Sequence, residues 1–148
     1  MNDSYFLVTK KRRFYKANSI DALKINISDP SDVDMLVAFY YDEPYVTMYD
    51  NDYYWPQVQI IDINGYPATY TKGNLTVRHI YKDEGSYYFK RRIIDFVKND
   101  TGEQIKGYIF GDLSKSTPYT RIEDFYYSLM ALMDLIEKTG DKEYRMHI

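Results

Sequence analysis

Ile122, Phe125, Tyr126, Leu129, Leu132, Met133 and Ile136 recur at steps of three and four residues, which places them on one stripe of an α-helix. Thr120 and Glu123 stand in capping-box spacing just ahead of that stripe, and Gly140 supplies a stop, so the pattern predicts a helix over 120–140. Before it the period changes to that of strands. Val33 to Tyr41 is a near-continuous apolar run and reads as a central strand, followed after Asp42-Glu43-Pro44 by a second strand from Tyr45 to Tyr49. Gln57 to Ile63 ends at Asn64-Gly65, the preferred pair for a type I′ hairpin, and Pro67 demotes the returning strand, 68–71, to an edge or a strand start. Leu75, Val77, His79 and Tyr81 alternate with Thr76, Arg78 and Ile80, and 87–98 and 104–110 follow as further strands. The strand 87–98 has a parity fault. Tyr87 and Phe89 share one face while Ile94 and Phe96 share the other, and a β-bulge near Arg91-Arg92 would put all four inside. At the start of the chain, Tyr5 to Val8 reads as a strand that Phe14 and Tyr15 resume beyond a basic cluster, and Ser19 caps a short helix through about Ile25.

Short turns between strands imply antiparallel neighbours. The expected fold is therefore α+β: a meander sheet of seven or eight antiparallel strands, free to curl toward a half-barrel, with one C-terminal amphipathic helix packed on it. A chain of 148 residues is the size of one domain, 1–148, and contains no internal repeat or long linker. Tyr127, Met130, Ala131 and Leu135 widen the apolar stripe of the helix beyond what one sheet face covers. The helix is then either a core plug, the favoured reading, or a dimer seam, so the chain is expected to be a monomer or a homodimer.

Composition narrows the chemistry. There is no cysteine, which removes disulfides, thiol nucleophiles and thiolate metal sites together. The N-terminal apolar run precedes its charges and is too short for a signal peptide or a membrane span, which points to a soluble cytoplasmic protein with no membrane partner. Abundant Asn, Lys, Ile, Tyr and Asp with scarce Ala, Gly and Pro is the bias of AT-rich codons, as expected of a low-GC bacterium or a phage or other mobile element. Only two histidines occur, and His79 lies among apolar neighbours in a strand, where a hydrogen-bonded structural role is the commoner case. An enzyme would show itself as a pocket in which His79 meets two carboxylates. No Gly-Lys-Ser/Thr phosphate loop is present. Asp32/Asp34 and Asp50/Asp52 are spaced to share strand faces but depart from the EF-hand pattern, since Leu36 and Tyr54 stand at its third ligand position. No catalytic residue, metal or cofactor is assigned.

Charge is segregated along the chain. Residues 1–28 carry six basic side chains against two acidic ones, whereas 29–71 carry eight carboxylates and no lysine or arginine. Interleaved with those carboxylates are many of the chain's 18 tyrosines and its single tryptophan. Aromatic anchors bordered by unpaired acids fit a basic protein surface, because Tyr and Trp make good interface anchors and the charges speed the encounter. Tyr41, Asp42, Glu43, Tyr45, Tyr49, Asp50, Asp52, Tyr53, Tyr54 and Trp55 are the candidate partner-binding residues. In its sharpest form this segment imitates a nucleic-acid backbone and occupies the groove of a nucleic-acid-processing enzyme. In size, in lack of cysteine and in acidic, tyrosine-rich surface the chain is similar to small inhibitors carried by phages and plasmids, including anti-CRISPR proteins. That likeness is one of composition and carries over no residue.

The alternative is a single-stranded nucleic-acid-binding protein. Lys11, Arg12 and Arg13 stand beside Phe14 and Tyr15, and Tyr88, Lys90, Arg91 and Arg92 form a second basic and aromatic cluster. Single-strand binders combine stacking platforms with a cationic groove. Against this stands the acidic balance of the whole chain, with a formal net charge of −3.

Overall fold

The structure is a computed structural model and describes residues 4–40, 57–82, 84–85, 89–112 and 122–147. They fall into two compact units that meet in sequence between Thr69 and Tyr70.

The first unit is a four-stranded antiparallel sheet. β1 (Ser4–Thr9), β2 (Phe14–Ala17), β3 (Val33–Tyr40) and β4 (Gln57–Ile60) lie in the order β2-β1-β3-β4. The basic cluster does not interrupt one strand; it forms the turn of a hairpin between two, with Arg12 at φ 62 and the Arg12 amide donating to the Thr9 carbonyl. Ser19 caps α1 (Ile20–Lys24) by accepting from the Ala22 amide at 3.2 Å. That helix delivers Leu23 into a cluster with Leu7, Leu36, Ala38 and Ile61. On the other face of the sheet Phe6, Val8, Met35, Val37 and Phe39 are also buried. Burial on both faces explains why β3 reads as a continuous apolar run instead of an alternation.

The turn after β4 differs from the type I′ expectation. Gly65 is left-handed at φ 87 but Asn64 is not, and the carboxylate of Asp62 accepts from the Asn64 and Tyr66 amides at 2.8 and 3.0 Å. By taking both amides, Asp62 selects a longer turn that closes with a left-handed glycine.

The second unit holds β5 (Tyr70–Lys72), β6 (Leu75–Ile80), β7 (Glu84–Gly85), β8 (Phe89–Lys98), β9 (Gln104–Asp112), α2 (Ile122–Thr139) and β10 (Glu143–His147). Its sheet has the order β10-β9-β8-β6-β5, with β7 paired to β8. The α+β class and the C-terminal helix stand as expected, but the single meander does not: the described strands form two sheets, and the second is mixed. β10 returns from α2 to lie parallel to β9, from Glu143 opposite Lys106 to His147 opposite Phe110. A parallel neighbour needs a crossover, and α2 provides it.

The expected bulge at Arg91-Arg92 is also absent. β8 pairs with β9 without interruption from Phe89 to Val97, so Arg92, Ile94 and Phe96 share the buried face. The irregularity lies instead on β6, where the register with β8 shifts between Val77 and His79. Arg78 is the extra residue, and the shift turns Ile80 inward and leaves His79 exposed.

α2 buries Phe125, Tyr126, Leu129, Leu132, Met133 and Ile136, the stripe read from the sequence apart from Ile122, whose side chain lies outside the description, together with Met130. Tyr127 is 48% exposed. Gly140 at φ 69 ends the helix, its amide donating to the Ile136 carbonyl at 3.0 Å. The helix meets the sheet at Gly107. A Cβ there would stand 2.8 Å from both Leu132 Cδ2 and Phe96 Cε2. Gly107→Ala is therefore expected to cost about 1–3 kcal/mol of unfolding free energy by overpacking, measured by chemical denaturation. In a Leu132→Ala background the same change should cost less, with the Phe96 contact still in place, and strictly additive costs would show that the Leu132 contact is not a cause.

Candidate functional site

The ten candidate residues of the acidic, aromatic segment lie outside the described residues. What the structure supplies is their anchorage. β3 ends at Tyr40 and β4 begins at Gln57, and these two residues are register partners in an antiparallel ladder. The connection 41–56 thus leaves and re-enters the first unit on neighbouring strands.

Two described carboxylates of the acidic stretch, Asp29 and Asp62, have local structural work. Asp29 caps the 3-10 turn Pro30–Asp32, accepting from the Ser31 amide at 3.0 Å. The amide and hydroxyl of Ser31 hold its carboxyl below the usual carboxylate range, with a further attraction from Lys10. The Lys10 amide also donates to the Asp32 carbonyl at 2.8 Å. The basic turn of β1–β2 is therefore folded against the first acidic residues, and part of the charge separation seen along the chain is cancelled in space.

Of the nucleic-acid candidates, Lys11, Arg12 and Arg13 are exposed on that turn in the first unit. Tyr88 and the side chain of Lys90 lie outside the description. Arg91 is exposed and paired with Glu84 at 2.7 Å. Arg92 is not at the surface: it is 4% exposed, and its guanidinium lies 5.4 Å from the Phe125 ring centre. The unbulged strand gives it the parity of Ile94 and Phe96, and the ring offers a partial partner for the buried cation.

One arrangement was not anticipated. Because β9 turns Ile105, Gly107 and Ile109 inward, Lys106, Tyr108 and Phe110 occupy the opposite face of the second sheet. The Tyr108 and Phe110 rings are 6.2 Å apart and 20° from parallel, and the His147 ring of β10 stacks on Phe110 at 5.0 Å and 16°. Arg145 lies 5.6 Å from the Tyr108 ring centre. The period-two alternation in 104–110 carried the signal for Tyr108 and Phe110, but the partners on β10 depend on a strand the pattern did not reveal.

On the same face the Tyr81 hydroxyl donates to Asp95 at 2.6 Å, which pushes the Tyr81 pKa up, and Lys106 approaches Asp95 at 3.8 Å. His79 meets the edge of Tyr81 at 4.5 Å and lies opposite Asp95 in the ladder, so the carboxylate nearest it along the ladder is already engaged by a phenol. Among the described residues no group of three or more His, Asp or Glu side chains is placed to hold a metal ion. Nor is any described helix long and apolar enough to cross a membrane.

A polar network ties the turn after β5 to the turn after β8. Asn74 donates from Nδ2 to Asp100 at 2.9 Å and accepts from the Asp100 amide at 3.0 Å, while its own amide reaches Glu137 of α2 at 3.2 Å. Comparison of the chain with protein families, with curated proteins and with solved structures found no match.

The Asn74 hydrogen bond is the main cause of the depressed pKa of Asp100. A depressed carboxylate stabilises the fold above its unfolded pKa, and that contribution is lost as pH falls through the folded value. Asn74→Ala should raise the Asp100 pKa toward the ordinary carboxylate value and weaken this acid-side dependence, as read by NMR titration of the carboxyl carbon. An unchanged titration would refute the assignment.

Proposed function

We propose that this protein is a small binding protein that docks the acidic, tyrosine-rich connection 41–55 onto a basic partner protein, in the manner of an inhibitor from a phage or mobile element that mimics a nucleic-acid backbone. The reading rests on one observation. A stretch with four carboxylates, Asp42, Glu43, Asp50 and Asp52, and no lysine or arginine joins two paired strands. Binding residues are commonly carried on connections whose ends a rigid scaffold fixes. Asp29 and Asp62 are occupied in turns, whereas these four carboxylates belong to the connection itself.

Neutralising them as Asp42→Asn, Glu43→Gln, Asp50→Asn and Asp52→Asn together should slow association with a basic partner recovered from the native host by about tenfold at low ionic strength, with a flattened salt dependence. Surface plasmon resonance across a salt series gives both readouts. Association that is indifferent to the four changes would sink the electrostatic part of the proposal.

A further inference from the structure

The face of the second sheet opposite α2 carries a second candidate surface, made of residues other than those of the acidic connection. We infer that Tyr108, Phe110, His147, Arg145 and Arg91 form a binding platform for single-stranded nucleic acid. The sheet register sets the arrangement. Tyr108 lies between Ile93 of β8 and Arg145 of β10, and Phe110 lies between Arg91 and His147. Three rings on two adjacent strands stand within 20° of parallel to their neighbours, at 6.2 and 5.0 Å. The one helix described in this unit packs on the opposite face, at Gly107. Tyr108 and Phe110 remain partly exposed and His147 is exposed.

The chemistry favours a strand of unpaired bases. Every nucleobase has a π-face, so a column of near-parallel rings on a sheet is extended by a base with little sequence preference. Three cations border the column, Arg91, Lys106 and Arg145. All three have carboxylate neighbours, Glu84 at 2.7 Å, Asp95 at 3.8 Å and Glu143 at 3.0 Å. Such exposed pairs are weak, and a guanidinium has five N–H donors, so pairing with one carboxylate leaves donors for a phosphate. The carboxylates also set the expected strength: moderate affinity with strong salt dependence. Among the described residues of this unit no helix stands on that face to enter a duplex groove, which favours single strands over duplex.

Fluorescence anisotropy with labelled oligothymidylate and oligouridylate of about 15 nucleotides tests this at low salt. Binding of either single strand, with at least tenfold weaker binding of a duplex of equal length, is the expected result. Tyr108→Ala and Phe110→Ala should each lower affinity by about tenfold. Arg145→Glu, at an exposed edge position where refolding is not at issue, should lower affinity and reduce the salt slope. The variant neutralised at 42, 43, 50 and 52 should bind the oligonucleotide at least as well as the parent, which separates this surface from the acidic one. No binding at low salt, equal binding of duplex, or parental affinity in the Arg145→Glu variant would each overturn the inference. So would sedimentation showing a dimer that Arg145→Glu dissociates and that binds no oligonucleotide.

Discussion

The close approach of α2 to β9 at Gly107 is the constraint on which the second unit depends. Leu132 and Phe96 both occupy the space a side chain would take there. Since strand residues alternate between faces, seating position 107 under the helix fixes Ile105 and Ile109 inside and Lys106, Tyr108 and Phe110 outside. The uninterrupted β8–β9 register then places Ile94 and Phe96 inside, and the parallel β9–β10 pairing places Arg145 and His147 outside with Tyr108 and Phe110. One missing side chain thus determines which aromatic and charged residues share the far face of the sheet.

What could be read from the sequence was the structure that local rules specify. The stripe of α2, its glycine stop and the Ser19 cap depend on neighbours within a few residues, and they stand as read. β3 was legible because eight consecutive residues carry one message. The failures required information from elsewhere in the fold. The apolar count of 87–98 called for a bulge, but the energetic conflict is resolved by accepting Arg92 inside against Phe125 and placing the bulge on the neighbouring strand at Arg78. β10 offers only Tyr144 and Met146 as inward residues, too few for a strand signal, and its place is set by the partner edge of β9. The acidic segment was legible as composition, and its ends became legible as geometry only through the Tyr40–Gln57 pair.

Charge along the chain is a poor guide to charge in space for a specific reason. The hairpin of β1 and β2 brings Lys10 to the start of the acidic stretch, where Asp29 and Asp32 lie. Two oppositely charged segments partly neutralise each other there, where a turn meets a turn. Asp42, Glu43, Asp50 and Asp52 belong in sequence to the connection between β3 and β4, away from this turn-to-turn contact along the chain.

The same alternation changes what a cluster means. A run such as Lys90-Arg91-Arg92 looks like a cationic patch, yet a strand sends neighbours to opposite faces, so Arg91 pairs with Glu84 at the surface while Arg92 is buried beneath a phenylalanine. Contiguity in sequence forms a patch only in a turn, as at Lys11-Arg12-Arg13, where all three are exposed. Conversely Tyr108 and Phe110, separated by an inward isoleucine, make one surface with a histidine far along the chain. In a β-rich protein the unit of recognition is therefore the face. The search for it begins by deciding which residues the helix covers, because the remainder of each strand is then assigned without further choice.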